Sequence, residues 1–324
     1  MYVVEIQRIS TDDKTVRRSR FVGLMVLGAC QGIASDRIPV YFIAENFMWT
    51  RPGREGAINR ISWLYGEAQL NRNVKLVGSY IDLPTPTKVR RILDEGFVEV
   101  AKDSWVGRAG RIRTRFGFND WSELFYTPII QFAIIRSNPI TPQLGLLRFD
   151  TGVDVQGGSP ELQVQAGVVD VANDGWELAP QNADHVALRL QSEQGQAIIG
   201  ISTLTKVRGT GTRNGMIGLD VRWSKPEWMA RFEAVKGYSR GANGHGAYLD
   251  VFYRPQRWFR TQFGVRGEFY ESLAGVESSL LTLGVRQILS KEFTLSVNYG
   301  HGSRTGAAAG MRGWTVQLMT ALRF

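Results

Sequence analysis

Cysteine is almost absent from this chain. Cys30 is the single one in 324 residues, so neither a disulfide framework nor a cysteine metal site is possible. Histidine is nearly as scarce: His185, His245 and His301 stand beside loops or strand ends, and no pair has metal-ligand spacing. No metal and no cofactor is therefore expected. Long apolar runs are missing as well. No stretch reaches the ~20 uninterrupted apolar residues of a spanning helix, and the mean hydropathy is only −0.16, which excludes a helical membrane protein. Yet 43% of the residues are hydrophobic, and there are 9 Trp and 36 Gly. A chain that crosses a membrane with strands places its apolar residues at alternate positions, and soluble-looking hydropathy is the result.

The last segment shows this alternation directly. Trp314, Val316, Leu318, Leu322 and Phe324 share one face, while Thr315, Gln317 and Arg323 share the other, as in a strand with lipid outside and water inside. The alternative is an edge strand of a soluble sheet. A terminal Phe324 also resembles the signal that bacterial barrel proteins present to their assembly machinery, which makes that machinery an expected partner.

At the other end, Arg17-Arg18-Ser19-Arg20 precedes the apolar run 21–29, followed by Cys30-Gln31-Gly32-Ile33-Ala34. Basic region, short apolar region and small-residue site come in the order of a secretory signal. Residues 1–34 are read as a signal peptide cut after Ala34, and 35–324 as one barrel domain. Leu27-Gly28-Ala29-Cys30 also resembles a lipoprotein signal that would lipidate Cys30, and a short buried helix is the remaining alternative. The net charge is +9, of which residues before Cys30 carry +2, leaving +7. The basic residues come singly within strands and not as a run, which favours a charged lumen over a nucleic-acid partner.

Alternating segments fall at about 59–70, 74–83, 95–101, 105–115, 146–156, 161–170, 184–192, 197–207, 214–224, 228–238, 246–254, 258–269, 279–289, 292–301 and 314–324. Their links alternate between short turns, such as Lys225-Pro226, and longer loops. That is the outer-membrane pattern, with the short turns periplasmic and the long loops extracellular. The first of these segments must descend, so residues 38–49 are expected to climb before it, giving about sixteen antiparallel strands in an all-β transmembrane barrel. A periplasmic plug is the alternative for 38–49. Counted this way, the third outer loop is 116–145, by far the longest. Barrels of this size leave an aqueous channel, and long loops are usually functional. General porins fold their third loop into the channel, and this chain resembles them in that placement, which makes Asp120, Glu123 and Arg136 candidate constriction residues. The apolar stretch 124–130 should pack against the inner wall or a neighbouring subunit.

Arg111, Arg113 and Arg115 recur at period two, and each Arg facing lipid at the midplane would cost ~2–4 kcal/mol, so that face is expected in the lumen. The same parity sends Arg148, Arg189, Arg222, Arg231, Arg260, Arg266 and Arg286 inward together with Asp150, Asp154, Asp220, Glu233, Asp250 and Glu268. Arg108 falls on the lipid parity and asks for a bulge or for snorkelling at the rim. A cationic ring favours anions, unless the arginines merely pair with the interior carboxylates.

The stretches Phe97-Val98-Glu99-Val100, Trp105 to Phe118 and Leu124-Phe125-Tyr126-Thr127-Pro128 resemble porin-like barrels related to the phosphate-selective porin O and P family. That resemblance implies a sixteen-stranded, often trimeric barrel with an arginine ladder, for which Arg111, Arg113 and Arg115 are the candidates here, and it leaves a homotrimer as an option. The lysine cluster of that family has no obvious counterpart. The expected function is an outer-membrane porin, in contact with outer-membrane lipids, passing small hydrophilic solutes with a mild preference for anions. A structural or adhesive barrel without transport is the first alternative. An outer-membrane hydrolase using His301 and Ser303 is a minor one, because those residues stand at a strand end among glycines. No catalytic residue is expected.

Overall fold

The computed structural model describes residues 40–50, 58–84, 89–118, 127–129, 133–137, 149–170, 184–208, 214–239, 242–290, 293–304 and 312–323. The leader, Cys30, Asp120, Glu123, Arg148 and Phe324 lie outside them. Among the described residues there are sixteen strands: β1 (Val40–Thr50), β2 (Ile58–Asn71), β3 (Val74–Pro84), β4 (Val89–Lys102), β5 (Trp105–Arg113), β6 (Phe149–Ser159), β7 (Leu162–Asp170), β8 (His185–Gln194), β9 (Ala197–Lys206), β10 (Asn214–Ser224), β11 (Trp228–Ser239), β12 (Ala242–Tyr253), β13 (Thr261–Glu271), β14 (Glu277–Ile288), β15 (Phe293–Arg304) and β16 (Arg312–Arg323). One short helix, α1 (Ile134–Ser137), lies in the link after β5.

Each strand pairs with its sequence neighbours, and β1 pairs antiparallel with β16 from Ile43↔Arg323 to Trp49↔Gln317, so the sheet is a closed barrel. The segment read from sequence as either a climbing strand or a plug is thus a strand. Closure removes the exposed edges that an open sheet would present.

The distribution of side chains is the reverse of that in a water-soluble protein. Along β12, Leu249 is 49% exposed while its neighbour Asp250 is fully buried at 0%. The same contrast holds for Leu219 and Asp220 on β10 and for Val265 and Arg266 on β13. A soluble fold would leave such charges outside and such aliphatics inside. Here the outer face is an apolar belt of Val, Leu, Ile and Phe, a surface solvated by hydrocarbon, and the inner face holds the ionised groups. Trp223 and Trp228 lie on the outward parity near the short turns, Trp258 is 62% exposed within one of those turns, Trp228 stacks on Tyr253 with centroids 4.4 Å apart, and Tyr299, on the same outward parity, lies in the middle of β15. Amphipathic rings at the level of the turns form an interfacial girdle.

Three local departures from strict alternation have physical causes. In β4 the pairing steps from Ser79↔Glu95 to Tyr80↔Leu93, leaving Asp94 as an extra residue. This bulge broke the period, and the strand begins at Val89 and not near 95. In β12, Gly244 and Gly246 carry no side chain to report a face, which concealed its start at Ala242. Between β12 and β13, Pro255 starts a 3-10 turn closed by Trp258 N donating to Pro255 O at 3.0 Å. The strand therefore starts at Thr261, and Arg260, expected in the lumen, is instead exposed in this turn with its guanidinium 5.6 Å from the Phe259 ring centroid.

Candidate functional site

The long link after β5 turns into the barrel and runs along its inner wall. Gly117 allows the turn: its φ is +60, and a Cβ there would come within 1.6 Å of Glu233 Oε1. From that point successive acceptors and donors on the wall hold the loop. Gly117 N donates to Ser202 Oγ on β9 (3.1 Å), and Phe118 N donates to Glu233 Oε1 on β11 (3.2 Å). Further along, Ile134 N donates to Glu268 Oε2 on β13 (2.5 Å), and Asn298 Nδ2 on β15 donates to Pro128 O (2.6 Å). These four partners stand on alternate strands, and the described parts of the loop meet β9 and β11 at Gly117 and Phe118, β15 at Pro128 and β13 at Ile134.

Wall glycines make room for it. A Cβ on Gly218 would lie 2.8 Å from the Phe116 ring, one on Gly246 2.3 Å from Ile135, one on Gly264 2.6 Å from Pro128, and one on Gly284 2.4 Å from Pro128 O. Phe116, Ala133, Ile134 and Ile135 then join wall residues such as Leu204, Met216, Val235 and Tyr248 in the apolar cluster of the interior. Of the apolar stretch 124–130, Thr127, Pro128 and Ile129 are buried against the inner wall, and 124–126 and 130 lie outside the described residues.

The interior charges sort into two groups. Asp154 accepts both from Arg108 Nε, at 2.9 Å, and from the Arg108 Nη2, and also from Gln165 Nε2 at 3.0 Å. Asp220 accepts from Arg189 Nη1 and Nη2 at 2.6 and 2.8 Å. Asp250 serves two cations, accepting from Arg266 Nε at 2.6 Å and from Arg231 Nη2. Arg231 and Arg266 also lie over the rings of Phe252 and Tyr248, at 5.0 and 5.1 Å. Asp150 accepts from Thr114 Oγ1 at 2.5 Å, and Arg286 is buried and partnered. These groups brace the wall.

A second set, which shares Arg108 and Arg189 with the first, surrounds open lumen. Arg108, Arg113, Arg115, Arg189 and Arg222 with Glu95 line a space of about 460 Å³ beside Gly117 and Phe118. Arg113 Nη2 is 3.6 Å from Glu95 Oε2. Among the described residues, Arg115 and Arg222 have no ion-pair partner, and both are exposed to the lumen. Arg115 lies beyond the end of its strand.

This differs from the period-two ladder. Arg108, read as lipid-facing, shares the lumen face with Asp154 and Glu99, while Arg111 pairs with Gly96 and Thr151, is buried, and lies outside the arginine-lined space. The face changes within β5 around Gly110, whose φ is +129 and whose close approach to Gly96 O admits no side chain. A glycine amid alternating residues signals such a shift. Of the loop's wall partners, Glu233 and Glu268 lie inside as their strand parity predicts, but nothing in the sequence marks them, Ser202 or Asn298 as the seat of the loop. The backbone of Arg136 lies in α1. His185 is buried between Asp184 (2.5 Å) and Asn214 (3.2 Å), His301 is exposed on the outward parity, and Ser303 Oγ is 2.9 Å from Ser279 Oγ.

No family model and no curated protein matches the sequence. Solved structures do. Salmonella typhi OmpF superposes with a TM-score of 0.64 at 10% identity, over 89% of this chain and 97% of that one. The anion-selective porin from Comamonas acidovorans gives 0.60 at 12% identity over 89% and 98%. A loop-deletion mutant of OmpT, an outer membrane protein of Vibrio cholerae, gives 0.60 at 12% over 88% and 99%. This is the fold of outer-membrane porins. At such identities the likeness is one of architecture.

Proposed function

We propose that this protein is an outer-membrane porin, a channel through which small hydrophilic solutes diffuse, with a mild preference for anions. The observation that carries the reading is the interior of the barrel: an arginine-lined space of about 460 Å³ beside a long loop seated on the inner wall, inside a closed sheet with an apolar exterior. The loop narrows the lumen, and Arg115 and Arg222 supply cationic charge that forms no direct ion pair among the described residues. Short turns face the periplasm, and a leader ending at Ala34 delivers the chain.

Passage depends on field and width. Arginine offers a planar fork to carboxylate or phosphate, and a cationic constriction lowers the barrier for anions more than for cations. Acidic residues of the loop, Asp120 and Glu123, would oppose the arginines and orient polar solutes. The resemblance of residues 97–100, 105–118 and 124–128 to the phosphate-selective porin O and P family supports an arginine-lined path, while the lack of that family's lysine cluster argues against phosphate as a favoured anion; a homotrimer is supported by the trimeric form solved for Vibrio cholerae OmpT.

Liposome flux tests this. Vesicles containing the refolded protein should release small sugars and small organic anions, the anions faster than cations of equal size. Retention of all of them by vesicles whose barrel resists denaturation when unheated would leave a non-transport role.

A further inference from the structure

We infer that the outer wall over β11 to β15 binds an anionic glycerophospholipid, with an acyl chain in a wall groove and the headgroup phosphate on the arginines of the β12–β13 turn. The inference rests on the reading that this wall faces lipid. Two cross-strand rows of outward side chains form the groove, one running from Trp228 through Phe263 to Val297 and the other from Val251 to Tyr299. It has a volume of about 540 Å³ and a lining of aliphatic and aromatic groups with Gly264 and Gly284 in its wall. That falls within the ~300–1,000 Å³ usual for ligand pockets, and an apolar lining suits a hydrocarbon chain.

The groove ends at the short turns, because Trp228 opens β11 and Tyr253 closes β12. Directly beyond Tyr253 comes the turn carrying Arg254, Arg257 and Arg260, all exposed and without an ion-pair partner among the described residues. The nearby acid, Glu227, accepts from Gln256 N at 3.3 Å. Trp258 and Phe259 project from the same turn, 62% and 64% exposed. Aromatic rings alternating with arginines at a membrane boundary place the ring bodies among glycerol and acyl carbons and the guanidinium forks at phosphate. A second copy of the chain fits this surface poorly, since three cations of one sign flank an apolar groove and need a negative counterpart. A phosphodiester provides it.

Native mass spectrometry of the protein extracted from vesicles of equimolar phosphatidylglycerol and phosphatidylcholine, with identical acyl chains, tests the site. The wild type should retain phosphatidylglycerol at least about tenfold over phosphatidylcholine, as a few interfacial arginines allow. Arg254→Ser, Arg257→Ser and Arg260→Ser combined should bring the two lipids to parity without abolishing retention. Filling the groove with Val265→Trp, or alternatively Leu283→Trp, should abolish retention of both. Equal retention of the two lipids by the wild type, an unchanged preference in the triple arginine variant, or a filled-groove variant that dissociates an oligomer while keeping its lipid would overturn the inference. Single-channel recordings on the same samples separate this from the porin reading: normal conductance without lipid preference rejects the lipid site alone, and preserved preference without conductance upholds it.

Discussion

Asp250 illustrates how the barrel wall tolerates its charge. It is fully buried and accepts hydrogen bonds from Arg231 and Arg266, neighbours on two different strands. Truncating it removes the carboxylate that two buried guanidinium groups share, and breaking a buried pair costs ~3–5 kcal/mol. Asp250→Ala should therefore lower the urea midpoint of the folded barrel, measured by loss of its heat-modifiable migration, while ion preference stays near the wild-type value. Arg115 and Arg222 behave oppositely. Because neither has an ion-pair partner among the described residues, Arg115→Ser with Arg222→Ser should leave stability within about 0.5 kcal/mol and reduce the anion preference. An unchanged preference in that double variant would assign the cations a purely structural role. At this scale the sequence showed that arginines fill the lumen, but not which of them remain uncompensated. Period two cannot register the change of face at Gly110, and pairing with Asp154, Asp220 or Asp250 depends on neighbours as far as 46 residues away in the chain.

At the scale of elements, the strands were largely legible because the outward face is so uniformly apolar. Alternation placed β10 at 214–224, the range observed, and misplaced β4 and β13 where a bulge and a 3-10 turn intervene. The seat of the long loop was legible only as an apolar stretch in need of a surface. Its partners are glycines, which carry no periodicity, and hydrogen-bonding side chains on four separate strands, three accepting and one donating. The seat makes a specific prediction: Gly264→Leu places a side chain where Pro128 now lies, and overpacking of this kind costs ~1–3 kcal/mol. If the loop is displaced from the wall, single-channel conductance and its open-channel noise should both change in Gly264→Leu, with the barrel still folded. Identical conductance would show that the loop does not set the pore width. Gly267, whose Cβ would meet nothing within 4 Å, serves as the control position.

For the whole molecule, the apolar exterior and the ionised interior make the bilayer part of the fold. Lipid stabilises the belt, water and loop side chains fill the lumen, and closure by β1 and β16 leaves no edge to aggregate. The surplus of basic over acidic residues, +7 once the leader's +2 is taken from the chain's +9, acts over roughly a Debye length, ~10 Å at 0.1 M salt and ~3 Å at 1 M. Selectivity should consequently be clear in dilute salt and fade in concentrated salt, which distinguishes a field in a wide pore from a tight binding site. The zero-current potential across a planar bilayer holding the wild-type protein in a dilute KCl gradient tests the central claim most directly. The account predicts discrete conductance steps and a potential of the sign set by chloride. A folded barrel that inserts without steps, or one whose potential has the sign set by potassium, would contradict it.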